Sequence, residues 1–189
     1  MKTIITVIFV GILTYTVAQK SGCQNAPKPM PNLNINNFYK NTWYETHMKD
    51  ARNSAICREC KFEVTQKGIV LTYEGQSSDN KPYTVTCSST QPVKQLNPSA
   101  PVLYKCAHTY KSGLSNRDKH MFFTLIWTVV ETDYKEYALA HRCMKYDDDD
   151  FFSGAFVLVH RDRKVDGSKA AKSLEKNKLK LTDFTKFSC

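Results

Sequence analysis

The chain has 189 residues and carries 27 lysines and arginines against 18 aspartates and glutamates, a formal charge of +9. That length fits one domain with a sizeable core, and the basic excess favours anionic partners over cationic ones. The lysines are scattered rather than gathered in runs, which argues against a nucleic-acid partner.

Met1-Lys2 precedes an apolar run from Ile4 to Leu13. The run falls far short of the roughly 20 residues that cross a bilayer. Thr16-Val17-Ala18 then offers small residues where a signal peptidase cuts, so residues 1–18 are expected to be a secretory signal peptide and 19–189 the mature domain. No later apolar run is long enough to span a membrane, so the expectation is a secreted protein with no membrane partner. The seven cysteines, Cys23, Cys57, Cys60, Cys87, Cys106, Cys143 and Cys189, all follow the leader. In a secreted chain they predict disulfides, and an odd number leaves at least one thiol over.

Strand-like runs dominate from Trp43 onward. After Trp43–Lys49, the stretch Cys57–Val64 alternates: Cys57, Glu59, Lys61 and Glu63 share one face, and Arg58, Cys60, Phe62 and Val64 the other. Period two with one polar face is a half-buried strand. Ile69–Glu74, Tyr83–Cys87, Val102–His108, Met121–Val130, Tyr137–Tyr146 and Ala155–His160 follow, each rich in β-branched or aromatic residues. Turn-type segments, Gln76–Pro82, Asn97–Pro101, Lys111–Asp118 and Asp147–Gly154, separate them. Eight strands with short links predict an all-β sandwich or up-and-down barrel. One helix is expected over Ser168–Asn177, where Asp166-Gly167-Ser168 supplies capping residues, and an extended piece, Lys178–Cys189, closes the chain.

Eight strands, a helix and a final strand is the lipocalin order, and the motifs agree. Asn41-Thr42-Trp43-Tyr44 resembles the family's first block, with Asn41 in place of its glycine; Thr132-Asp133-Tyr134 before Tyr137-Ala138 resembles the second; Arg161 resembles the arginine of the third, which packs over the tryptophan here numbered Trp43. The chain is most similar in pattern to the triabin and pallidipin-type salivary lipocalins of blood-feeding triatomine bugs, through Cys57-Arg58-Glu59, the Thr132–Cys143 stretch, Val159-His160-Arg161 and Lys180-Leu181. The resemblance implies an eight-stranded antiparallel barrel with one C-terminal helix, and the bridges Cys23–Cys143, Cys57–Cys189 and Cys87–Cys106, which leave Cys60 odd. It also implies a binder, not an enzyme. Related nitrophorins hold haem through a histidine on the strand matching Ile69–Glu74; this sequence has none there, so no cofactor is expected.

The implied bridges set the phase of two strands. A Cys57 tied to the tail points outward, which turns Arg58, Cys60, Phe62 and Val64 inward. An outward Cys143 likewise turns Ala138, Ala140, Arg142 and Met144 inward. Either Glu45, which shares parity with Trp43, pairs with one of the two inner arginines, or a ligand does. Phe62, Phe123, Trp127 and Phe156 are the expected apolar walls. Guanidinium groups in an apolar pocket suit an amphipathic acid such as an eicosanoid, and suit a nucleotide less. The resulting expectation is a salivary scavenger of a host mediator of platelet activation, vasoconstriction or inflammation. An amine ligand (serotonin, histamine or noradrenaline) needs inward carboxylates, of which Glu45 is the clear one. A further alternative rests on Asp147, Asp148, Asp149, Asp150 and Phe151 as a docking loop for a clotting protease such as thrombin. That run lacks the spaced pattern of a calcium loop, and the five histidines show no metal spacing.

Overall fold

A computed structural model describes residues 23, 25–51, 57–76, 82–110, 121–147 and 152–189. The expected leader, most of the turn Gln76–Pro82, all of Lys111–Asp118, and Asp148, Asp149, Asp150 and Phe151 lie outside the described residues. Eight strands follow in order: β1 Trp43–Lys49, β2 Arg58–Thr65, β3 Gly68–Gln76, β4 Pro82–Ser89, β5 Val102–Tyr110, β6 Phe122–Thr132, β7 Tyr137–Tyr146 and β8 Phe152–His160. Each pairs antiparallel with the next, and β1 pairs with both β2 and β8, which closes the barrel. Closure leaves no strand edge among the eight, apart from the stretch of β1 to which a short β9, Phe184–Lys186, is added. The expected lipocalin barrel is therefore present, with strand bounds close to those predicted.

The helix is shorter than predicted. Ser168–Ala170 is a 3-10 turn and only Ala171–Lys176 (α2) is α-helical. Asp166 Oδ1 accepts from both the backbone N and the hydroxyl of Ser168 (2.9 and 2.7 Å), and Asn177 ends the helix before Lys178 at φ +58°. Gly167 sits at φ +83°, and a Cβ there would meet Leu181 at 2.9 Å and the His47 ring at 3.1 Å. Glycine lets the segment press onto β1. Ala170 and Leu174 pack with Leu139, Leu158, Leu179 and Phe184 in a second core outside the barrel wall. A short helix α1, Ile35–Phe38, went unpredicted; Asn34 caps it by accepting from Asn37 N at 3.0 Å, and it carries Phe38 to the barrel floor.

At that floor Trp43, fully buried, stacks on Phe38 (5.2 Å) and donates from Nε1 to the Phe38 carbonyl at 2.8 Å. The Arg161 guanidinium covers the other side, 3.6 Å from the Trp43 ring, and donates to the carbonyls of Thr42 (2.9 Å) and Phe38 (3.1 Å). Burial lowers Arg161 to about 10, against the pull of Asp133, and it stays charged at neutral pH. Arg161→Ala is expected to cost about 2 kcal/mol, the sum of a cation–π contact and charge-assisted bonds. A fall of several degrees in melting temperature, only partly restored by Arg161→Lys, checks this.

Two bulges reset the alternation. In β1 the register against β8 slips between Glu45 and His47. Trp43 and Glu45 point in, Thr46 and His47 both turn outward beneath the C-terminal segments, and Met48 points in again. In β6 a slip between Val129 and Glu131 does the same near the floor.

Candidate functional site: the inner arginines

The three bridges implied by the family resemblance are all present, Cys23–Cys143, Cys57–Cys189 and Cys87–Cys106. Cys57 and Cys143 lie on outward positions, and the phase they set holds along β7 and along β2 as far as Phe62; Val64, expected inward, is 36% exposed near the end of β2. Cys87 and Cys106 are directly paired across β4 and β5 on the inner face, where their sulfurs fill part of the barrel. Cys60 is free, points inward and is 3% exposed. Burial, then the Glu45 carboxylate, pushes its thiol up to about 12, against the nearby arginines. A thiol so placed cannot bridge two folded chains. The folded protein is expected to give no reaction with a thiol reagent until denaturant is added, and then one thiol per chain, with a monomer on non-reducing electrophoresis.

Above the floor, Glu45 (2% exposed) receives both arginines. Arg58 Nη1 lies 3.0 Å from Glu45 Oε1, and Arg142 Nη1 lies 3.4 Å from each Glu45 oxygen. Arg142 Nη2 donates to the Met48 sulfur at 3.8 Å, a contact made possible by the β1 bulge. Arg58 also lies 5.8 Å from the Tyr73 ring centroid. Burial works against the Arg58 charge, but Glu45, with Tyr73 next, holds it above its usual value. The Cys60 thiol and the Tyr73 phenol, both pushed up chiefly by burial, stay neutral. The layer thus holds two cations against one anion. Two buried donors in it, Arg58 Nε and Trp127 Nε1, make no hydrogen bond.

The space beside this layer is lined by Glu45, Arg142, Trp127, Met144, Tyr73 and Leu125, with Cys60 and Leu71, and measures about 10 Å³. That is room for about one water. Trp127 and Arg142 face each other directly across β6 and β7. Of the expected ligand residues, Glu45, Arg142, Met144 and Trp127 therefore meet in one place, with Arg58 joined to them through Glu45. Ala138 and Ala140 are fully buried on the inner face, as their parity requires, but do not line the space. Phe62 sits lower, 5.0 Å from the Tyr39 ring, and Phe123 higher, against His108 and Tyr146. Phe156 is corrected: it faces outward, T-shaped on His141 at 5.1 Å and packed against the helix side, because its neighbours Val157 and Val159 pair with the inward Ala140 and Ala138.

Leu71, Tyr73 and Leu125 are not among the expected residues, although alternation carries them inward as surely as Arg58. The rings at the mouth are likewise unexpected. Tyr83 stacks on His108 (4.7 Å, 4°) and lies flat over Gly75, where a Cβ would meet the ring at 2.4 Å. A larger groove of about 440 Å³ runs along Cys57, Glu59, Lys61, Thr72, Glu74 and Thr84. Apart from Tyr73 and Gly75, which also line it, its wall is made of outward positions at β2 to β4, so the groove runs mainly along the outer face. Asp147 is exposed and 3.9 Å from Lys105. The residues of β3 do not fit a haem held as in the related nitrophorins: its inward positions are Ile69, Leu71 and Tyr73, which offer no imidazole.

The closed eight-stranded barrel, with an arginine stacked on the tryptophan at its floor and one helix on its flank, defines a lipocalin. The family model described as nitrophorin matches residues 23–189, and the chain belongs to that family. Triafestin-2 of Triatoma infestans is 32% identical over 183 residues, covering 92% of this chain and 86% of the relative. Procalin of Hospesneotomae protracta is 28% identical over 160 residues, covering 77% and 76%. These relatives bear out the resemblance to the salivary lipocalins of triatomine bugs. Among solved structures, the LTBP1 complex with leukotriene C4 is 26% identical with a TM-score of 0.61, covering 86% of this chain and 90% of that one. The tryptamine complex of the amine-binding protein of Rhodnius prolixus, at 20% identity and a TM-score of 0.65 over 85% and 83% of the chains, shares the fold.

Proposed function

We propose that this lipocalin is secreted into saliva after removal of residues 1–18 and sequesters an amphipathic acid of the eicosanoid class, and so blunts a host response such as platelet aggregation. The observation that carries this reading is the donor excess inside the barrel. Arg58 and Arg142 share one carboxylate, and Arg58 Nε and Trp127 Nε1 are left without acceptors. A buried donor without an acceptor costs free energy that a ligand's anion recovers on binding. An acid head brings the inner charge to zero, whereas an amine would add to a net positive layer. The leukotriene C4 bound by the similar LTBP1 belongs to the favoured class. An acid of that size is admitted only if inner side chains move, and Met144, unbranched and soft, is the lining residue best suited to do so. Sequestration makes no use of a reaction, and the function is that of a binding protein.

Calorimetric titration with leukotriene C4, ADP, serotonin and thrombin in turn tests this. Heat and a one-to-one end point with leukotriene C4 alone support the proposal. Binding of serotonin or thrombin in the absence of any acid binding would replace it with the amine or protease alternative.

A further inference from the structure

Resting on that function, we propose that Glu45 is a built-in stand-in for the ligand's acid group, and that binding proceeds by exchange at Arg142. The two arginines hold Glu45 unequally. Arg58 makes the shorter contact, 3.0 Å, and does not line the inner space. Arg142 reaches Glu45 only at 3.4 Å, gives its second amino group to a thioether, which is a weak acceptor, and does line the space. The bare indole N–H of Trp127, 3% exposed, lies on the residue directly opposite Arg142. An incoming carboxylate that accepts from Arg142 and from Trp127 Nε1 leaves Glu45 to Arg58 alone. The products are two neutral pairs in place of one anion shared between two cations. No bond to carbon changes and no proton moves; one guanidinium changes partner.

This arrangement makes Glu45 a competitor of the ligand as well as a brace of the empty barrel. It also makes Arg58 a positioning residue, which acts by keeping Glu45 off Arg142. The test is a double-mutant cycle read by calorimetry with leukotriene C4 as the probe. Glu45→Gln is expected to tighten binding about tenfold by removing the competitor. Arg58→Ala is expected to weaken it about tenfold, because Glu45 then turns wholly onto Arg142, and the double variant is expected to return at least to the wild-type value. If the wild type binds the acid and Glu45→Gln leaves the affinity unchanged or lowers it, exchange is overturned while the proposed function stands. If the wild type binds no acid, both fall together. Should Glu45→Gln fail to fold, a crystal structure of the wild-type complex decides. A separation of Arg142 from Glu45 beyond the salt-bridge range supports exchange, and an unchanged contact overturns it.

Discussion

Replacing Cys57 and Cys189 together by serine is expected to lower the unfolding free energy by about 5 kcal/mol, the chain-entropy value for so long a loop. The two cysteines are 132 residues apart, and their bridge fastens the end of the chain to the start of β2. The same rule gives about 3 kcal/mol for Cys87–Cys106, whose separation is 19. The longer bridge has a structural consequence as well. It holds down the tail in which β9 lies on β1, Phe187 N donates to Thr46 O at 2.8 Å, and Phe187 is buried. Guanidinium unfolding of the oxidised protein and the double variant measures the difference. Replacing both cysteines leaves no liberated thiol, and Cys60, buried and protonated, offers no thiolate to attack the two remaining bridges. A loss under about 1 kcal/mol would mean that tail packing alone sets the stability and that the bridge adds almost no constraint.

Stability is also expected to fall by about 3 kcal/mol as pH drops from 6.5 to 4, on account of His160. His160 is 1% exposed, and burial, then His47, lowers it to about 4 against the pull of Asp133, Asp166 and Asp162. Its Nδ1 lies 2.7 Å from Thr46 Oγ1, while Nε2 has no partner. Thr46 Oγ1 also meets His47 Nδ1 at 2.9 Å, so one hydroxyl serves two imidazoles whose centroids are 5.8 Å apart. His47 is lowered too, by burial and then by Lys186, with Asp166 opposing. A base whose folded value is depressed binds fewer protons folded than unfolded in this window. Its stabilisation is therefore complete above the unfolded value near 6.5 and is lost as pH falls toward 4. Asparagine at 160 can keep a polar atom near Nδ1 and cannot titrate. His160→Asn is expected to be less stable at neutral pH but to show a visibly flatter acid limb in denaturant midpoints from pH 8 to pH 4. If the two acid limbs superimpose, carboxylates alone cause the acid loss.

Much of the fold was legible because alternation is a local signal. The strands were predicted within a few residues, and the floor motif of Trp43 and Arg161 lies where the family pattern puts it. The inward phase of Arg58 and Arg142 followed from two outward cysteines, and that step needed the pairing implied by the resemblance. What alternation could not give was its own interruptions. Thr46 is an extra residue in β1, and without knowledge of that bulge Met48 would be assigned outward, away from Arg142. Phe156 was misassigned for want of register: its size argued for a wall, but Val157 opposite Ala140 fixes it outside. The pairing of one carboxylate with both arginines was not legible either, since it depends on β1, β2 and β7 meeting across the barrel. The helix was overextended because propensity continues through Ser168–Asn177, while the close approach of Gly167 to His47 and Leu181 holds its first turn in a tighter form.

In the proposed function the charge of the inner layer selects the ligand, and Arg142 is the residue on which that proposal depends most. Titration of leukotriene C4 into the wild type and into Arg142→Ala, at matched pH and salt, is the most direct measurement. The expected result is a loss of affinity of about a hundredfold, as for removal of one partner of a buried charge-assisted pair, with the barrel still folded by circular dichroism. An unchanged affinity in a folded Arg142→Ala would contradict the account.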